Sequence, residues 1–150
     1  MSTKIPPEKI AALVSSVTET MCGLSFENTG THPVVDDSQV RTAALNIEGK
    51  KPIVVALSAD LASCSAIGSA MFGCPPDQID ASMMEDVLRE LVNMTAGQIK
   101  RVLALDDALG LPTMTTEHDL LKAVDPPHVS NTPLSAGGVK LVLWIGPKNS

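Results

Sequence analysis

Four polar or small residues between Met83 and Arg101 recur at a spacing that could place chemistry on one side of a helix. They are Asp86, Glu90, Asn93 and Gly97, and this set is called the polar stripe. At about 100° of rotation per residue, the four positions fall within roughly 60° of one another. The stripe would therefore present two carboxylates, a carboxamide and a position without a side chain along one line. A carboxamide can bind a water both as donor and as acceptor without titrating.

The apolar residues of the same stretch predict the helix that must hold the polar stripe. Six apolar residues and one threonine recur at helical spacing opposite the stripe: Met84, Leu88, Leu91, Val92, Thr95, Ile99 and Val102. Ser82 followed by Glu85 has the spacing of a capping box, which predicts the start of the helix. We expect the helix to continue to about Leu109, just before Gly110.

Two residues of the polar stripe are costly in a helix, which argues against a face kept only for solubility. Asn competes for backbone hydrogen bonds, and Gly costs about 1 kcal/mol relative to Ala in a helix interior. Gly97 could permit the close approach of another backbone, either within the fold or from a partner. A solvated outer face is the ordinary interpretation of polar residues on an arbitrary helix.

The spacing of Asp86, Glu90 and Asn93 resembles the signature helix of the CheC/CheX/FliY phosphatases of bacterial chemotaxis. Their pattern is Asp or Ser, three residues, Glu, two residues and Asn. The run ELVNMTAG from Glu90 to Gly97 is similar to the CheX form of this helix. Pro112, which follows about twenty residues later, is also typical of the family.

This resemblance implies a phosphatase that acts on the aspartyl phosphate of a CheY-like response regulator. Asn93 would orient the attacking water, and Glu90 would pair with a lysine of the regulator and fix the docking register. Asp86 would serve in docking or in local hydrogen bonding, and Gly97 would let the regulator approach. The chain itself would bind no cofactor and no metal, because the regulator supplies the Mg²⁺.

Two other functions are compatible with parts of the sequence. A non-catalytic module, either a response-regulator-binding protein or a component of the flagellar switch or of a sensor, could use the same helix without turnover. An unrelated metal- or thiol-dependent enzyme has no motif in its favour, since no paired cysteines, HExxH motif or nucleophile elbow is present.

A second stripe with similar spacing is predicted on the first helix, which is expected from Pro6 to Met21 and to be closed by Gly23. Ser15, Glu19 and Cys22 repeat the pattern, with a cysteine in place of the amide. The family contains two related half-domains, so this stripe is either a degenerate first copy of the site or a coincidence.

Composition limits the class of protein. A chain of 150 residues with a net charge of −6 and 44% hydrophobic residues is expected to form one soluble domain over residues 1–150. The resemblance implies that this domain is CheX-like. The acidic charge argues against nucleic acid or an anionic membrane as partner. Without a signal sequence or a long apolar run, we expect a cytoplasmic location. Three cysteines without C-x2-C spacing suggest neither disulfides nor a zinc site.

The remaining patterns predict an α/β (α+β) fold, with long helices packed on a mixed or antiparallel sheet. A loop is expected over 27–37, a hairpin over 40–47 and 52–57, a helix capped by Ser58 or Asp60 and ending near Met71, and a strand over 111–116. The segment 117–135 is expected to be irregular, and 139–145 to be a strand. This last strand could lie at an edge and pair between chains of the homodimer that the resemblance implies, or it could be buried in the sheet.

Overall fold

The computed structural model describes residues 4–30 and 37–149. Within them the helices are α1 (Pro7–Cys22), α2 (Leu61–Phe72), α3 (Ala81–Val102) and α4 (Glu117–Ala123). The strands are β1 (Glu27–Asn28), β2 (Val40–Ile47), β3 (Ile53–Asp60), β4 (Thr113–Thr115), β5 (Ser130–Ala136) and β6 (Val139–Pro147). Short 3-10 helices occupy Asp37–Gln39, Pro76–Gln78 and Pro126–His128.

All six strands belong to one sheet in the order β1-β5-β6-β3-β2-β4, and every pairing between neighbours is antiparallel. The predicted β2–β3 hairpin is confirmed, with Ile47 opposite Ile53. β6 lies between β5 and β3, so of the two positions considered for this strand the buried one is confirmed. Its near-continuous burial reflects a central position, and the homodimer stays a prediction.

The two faces of the sheet are covered very differently. One face carries the main core, in which α1, α2 and α3 pack on inward-facing residues such as Val55, Leu57 and Leu143. The alternate residues of the same strands, including Val54 and Trp144, face a smaller core beneath α4. This alternation follows from the period of two along a strand. The α+β class that the sequence predicts is therefore confirmed, with helices on an antiparallel sheet.

Glycine and aspartate set the bounds of the first two helices. Gly23, at φ 73°, ends α1 in the left-handed conformation that the sequence suggests. The side chain of Asp60 accepts a hydrogen bond from the Ser63 amide at 2.6 Å and caps α2. Ser58, the other candidate cap, lies inside β3 instead. Gly68 lies against Ile79, where an added Cβ would meet side-chain carbon at 3.1 Å.

The predicted irregular segment 117–135 is wrong, because it contains α4 and most of β5. Thr116 caps α4 by accepting a hydrogen bond from the Asp119 amide at 3.1 Å. Pro133 is tolerated in β5 because only the two residues of β1 pair with the outer side of that strand. The predicted loop over 27–37 contains β1 at its start, and its part over 31–36 lies outside the described residues.

Candidate functional site

The N-terminus of α3 is fixed by an aspartate cap. The side chain of Asp80 accepts a hydrogen bond from the Met83 amide at 2.8 Å. The helix begins at Ala81, so Ser82 is already helical and the predicted capping box is wrong. The true cap lies two residues before the predicted one, at Asp80, where the backbone is extended.

The C-terminus of α3 is closed earlier than expected. The Ala104 amide donates to the Arg101 carbonyl, and the Leu105 amide donates to the Lys100 carbonyl. These two bonds form a Schellman motif, with Ala104 in the left-handed conformation at φ 53°. The helix therefore ends at Val102, and the predicted continuation to Leu109 is wrong.

The buried face of α3 points at the sheet and leaves the polar stripe on the opposite side. Its buried residues are Val87, Leu88, Leu91, Val92, Thr95, Ala96 and Ile99. The helix packs on β2 and β3 and has α1 and α2 as neighbours. Asp86 and Glu90 are exposed, whereas Asn93 and Gly97 are half-buried. Val102, which was expected on the buried face, is 41% exposed.

The two carboxylates of the stripe have different surroundings. Arg89 donates a hydrogen bond to Asp86 at 2.7 Å and lies 3.5 Å from Glu85. The bond with Asp86 raises the pKa of the Arg89 guanidinium and keeps it charged. Glu90 forms no ion pair with any residue in 4–30 or 37–149. The stripe therefore carries one compensated and one uncompensated carboxylate.

Asn93 and Gly97 form the open part of the stripe. The carboxamide of Asn93 forms no side-chain hydrogen bond within the described part of the chain. A Cβ added to Gly97 would meet no described atom within 4 Å. Close packing inside the fold therefore does not account for Gly97, in contrast to Gly68 on α2. Approach by another molecule stays a prediction for Gly97.

This arrangement can hold a water and recognise a cation. An unengaged carboxamide can donate to and accept from a water that lies above the helix. An unpaired carboxylate one turn earlier can receive a charged donor. Both groups project from a long helix anchored on the sheet, which fixes their relative positions.

The sequence model of the family described as "Chemotaxis phosphatase CheX" matches residues 41–130. The chain belongs to the CheX family. The match covers β2 through the start of β5 and includes the whole polar stripe. Comparison with curated proteins finds no match.

Solved structures of CheX proteins share the fold at low sequence identity. CheX from Desulfovibrio desulfuricans is 19% identical, with a TM-score of 0.70, and the alignment covers 95% of this chain and 99% of that one. CheX from Vibrio vulnificus is 17% identical, with a TM-score of 0.68 and the same coverage. CheX in a CheX–CheY–BeF3–Mg²⁺ complex from Borrelia burgdorferi is 16% identical, with a TM-score of 0.67, covering 97% and 100%.

The second stripe that the CheX resemblance suggested on α1 has a structural use. The Ser15 hydroxyl is buried, accepts from the Phe26 amide at 2.8 Å and donates to the Phe26 carbonyl at 3.1 Å. Glu19 accepts a hydrogen bond from the Ser25 hydroxyl. Ser15 is therefore not part of an exposed stripe, and its hydrogen bonds, with that of Glu19, hold the segment that follows α1.

The remaining candidate groups of other enzyme classes are dispersed or buried. Burial raises the pKa of the Cys64 thiol to about 12, so this side chain is a poor nucleophile. No group of three or more His, Cys, Asp or Glu residues in 4–30 and 37–149 could hold a metal ion. No helix within these residues is long and apolar enough to cross a membrane.

Sequence analysis missed the role of Arg89 in the site. Its signal was present, because an acidic residue three or four positions before an arginine is a standard pairing on a helix. Glu85 and Asp86 both satisfy that spacing. The pairing distinguishes Asp86 from Glu90, a distinction that residue type alone does not make.

Proposed function

We propose that this chain accelerates hydrolysis of the aspartyl phosphate of a CheY-like response regulator. The observation that carries the proposal is the unengaged Asn93 carboxamide beside the uncovered Gly97 on α3. Membership of the CheX family supports the reaction class. The CheX–CheY complex from Borrelia burgdorferi supports the class of partner.

Asn93 is assigned to the attacking water. Phosphoryl transfer needs little covalent help, and a catalyst acts mainly by placing the nucleophile in line and by stabilising charge. The amide group of Asn93 would accept one hydrogen bond from the water and direct its lone pair at phosphorus. Because the amide does not titrate near neutrality, this function would be insensitive to modest changes in pH.

Glu90 is assigned to docking. It is exposed and has no ion-pair partner in the described residues, so it is free to receive a lysine of the regulator. Asp86 is already paired with Arg89 and is assigned to local hydrogen bonding on α3. Gly97 would admit the partner's backbone next to Asn93, where any side chain would hold it further away.

The proposal places the metal in the regulator. This chain would contribute the water-orienting amide and the docking carboxylate, while the regulator would contribute Mg²⁺ and its own lysine. No cofactor of this chain enters the proposed mechanism.

The decisive experiment compares dephosphorylation of a receiver domain from the same organism, in the presence of Mg²⁺, with wild-type and Asn93→Ala protein. We expect a dose-dependent acceleration with the wild type that falls about 100-fold or more with the variant, because water orientation acts mainly in the transition state. Gln98→Ala is the matched control, since Gln98 is an amide on the same helix but about 120° from Asp86 around its axis. Its activity should be close to that of the wild type.

The same experiment separates catalysis from docking. Binding of the phosphorylated receiver without acceleration, unchanged by Asn93→Ala, would replace the phosphatase by the non-catalytic module that sequence analysis also allows. Equal losses with Asn93→Ala and Gln98→Ala would contradict the assignment of Asn93, because both variants would then act through the stability of α3.

A further inference from the structure

Two cations extend the polar stripe at the C-terminal end of α3. Lys100 and Arg101 occupy its last turn. Relative to Asp86 they lie at about 320° and 60° around the helix axis, and so flank Gly97 at about 20°. Arg101 is exposed and Lys100 is half-buried. The exposed side of α3 therefore changes from negative to positive charge along its length.

Neither cation is compensated within the described residues. Arg89 pairs with two acids, whereas Lys100 and Arg101 take part in no ion pair among residues 4–30 and 37–149. Asp106 and Asp107 follow the helix closely in sequence but form no ion pair with either of them. These are free positive charges in a chain whose net charge is −6.

Helix termination does not require these side chains. Cations in a last turn interact favourably with the helix dipole, which would account for one basic residue at this position. The carbonyls of Lys100 and Arg101 are, however, already occupied by the amides of Leu105 and Ala104. The end of α3 is thus capped by backbone, and the dipole does not explain why two cations flank the uncovered Gly97.

We infer that Lys100 and Arg101 bind an acidic surface of the same receiver domain whose phosphoryl group Asn93 reaches, and that they fix the direction in which it docks. This inference rests on the proposed function. Glu90 lies ten residues before Lys100, or about 15 Å along the axis. A partner with a cation at one end and carboxylates at the other would bind α3 in one orientation only.

The charge of the whole chain gives this local arrangement a second purpose. A net charge of −6 repels an acidic partner at long range. Two uncompensated cations beside the open space at Gly97 would offset that repulsion where the two proteins meet. They would also disfavour a reversed complex, in which acids of the partner would face Glu90.

The test measures binding of a CheY-type receiver domain from the same organism, loaded with beryllofluoride and Mg²⁺, at low and high salt. The test variant is Lys100→Gln with Arg101→Gln. The control is Lys122→Gln with Lys148→Gln, which changes the net charge equally. Both control residues are exposed. Lys122 lies on α4, which packs on the sheet face opposite α3, and Lys148 itself forms a β-bridge with Val124 at the end of α4.

We expect the dissociation constant of the test variant to rise about tenfold at low salt, and the difference from the wild type to shrink at high salt. Charge reversal with Lys100→Glu and Arg101→Glu should weaken binding further. The control should bind within about twofold of the wild type, since distant exposed charges contribute little. If the test variant and the wild type have equal thermal unfolding midpoints, the loss of affinity arises at the interface. A lower midpoint in the test variant that accounts for the loss of affinity would overturn the inference.

Wild-type affinity and salt dependence in the test variant would overturn the inference, and so would an equal loss in the control, which would indicate net charge alone. The proposed function is tested separately by the rate of dephosphorylation with Asn93→Ala. If Asn93→Ala loses the acceleration while the variant with Lys100→Gln and Arg101→Gln binds like the wild type, orientation by the two cations is refuted. The phosphatase proposal would then remain in place.

Discussion

The pairing of Arg89 with Asp86 predicts that the two carboxylates of the polar stripe contribute unequally to function. The perturbation is a pair of isosteric substitutions, Glu90→Gln and Asp86→Asn, each of which removes one negative charge. Glu90 is uncompensated in the described structure, while Asp86 accepts a bond at 2.7 Å from Arg89. A partner lysine would therefore find a free acceptor at Glu90 and an occupied one at Asp86.

The magnitude follows from the two kinds of interaction. A charge-assisted hydrogen bond that becomes buried in an interface contributes about 1.5–3 kcal/mol, so Glu90→Gln should lower kcat/KM by about 10- to 150-fold. Asp86→Asn loses only an exposed contact within one helix, and we expect a change of about threefold or less. Neither substitution disturbs the buried face of α3, so both variants should fold normally.

The assay is dephosphorylation of a receiver domain over a range of receiver concentrations, which separates KM from kcat. For Glu90→Gln, the loss should include a rise in KM, because docking is affected as well as turnover. Equal effects of the two substitutions, or a larger effect at Asp86, would refute the reasoning, since compensation by Arg89 would then be irrelevant. In an Arg89→Gln background the Asp86 carboxylate is no longer paired. The effect of Asp86→Asn on kcat/KM should then become measurable.

Three predictions concern stability and the buried groups. Ala104→Gly should raise the free energy of unfolding by about 0.5–1 kcal/mol, because Ala is strained at φ 53°; a loss on chemical denaturation would contradict this. Thr95→Val should raise it by about 1 kcal/mol, because the buried Thr95 hydroxyl has no hydrogen-bond partner among residues 4–30 and 37–149; a lower free energy of unfolding would contradict this. Cys64 should resist thiol reagents until unfolding, and stability should fall from pH 9, the ordinary thiol pKa, to about 12, the folded pKa.

Local patterns predicted those elements whose own sequence decides their structure. The hairpin of β2 and β3 has a turn sequence between two runs of strand-forming residues, and both strands were found at the expected positions. α1 ends at a glycine that adopts the left-handed conformation, as its sequence indicates. β6 was found as a strand, but its place in the centre of the sheet depends on β3 and β5, which no local signal specifies.

The errors lie where tertiary contacts decide the structure. α4 has only seven residues, which is too short for a reliable helical period. It is held by the packing of Leu120 and Val124 on the outer face of the sheet. β5 contains a proline that normally argues against a strand, and its pairing with β6 overrides that signal. The end of α3 was misjudged because an alanine occupies the position that usually contains glycine.

For the candidate site, the sequence predicted the side of the helix but not the state of each group. Rotation along α3 correctly placed the polar stripe opposite the buried face. Whether a carboxylate is paired depends on rotamers, and whether a glycine is covered depends on neighbouring elements. Neither can be read from residue spacing, and both came from the structure, at Asp86 and at Gly97.

The proposed function would also explain how a single helix can carry a site of this kind. A phosphatase that supplies only a water-orienting amide needs a rigid support and an open approach, because the other reacting groups would arrive with the partner. α3 meets the first need through seven buried residues on its opposite face and the second through the open space above Gly97. On this reasoning, filling that space should be more damaging than the change in helix propensity suggests. Gly97→Ala should stabilise α3, by about 1 kcal/mol on intrinsic propensity, and yet weaken binding of the receiver.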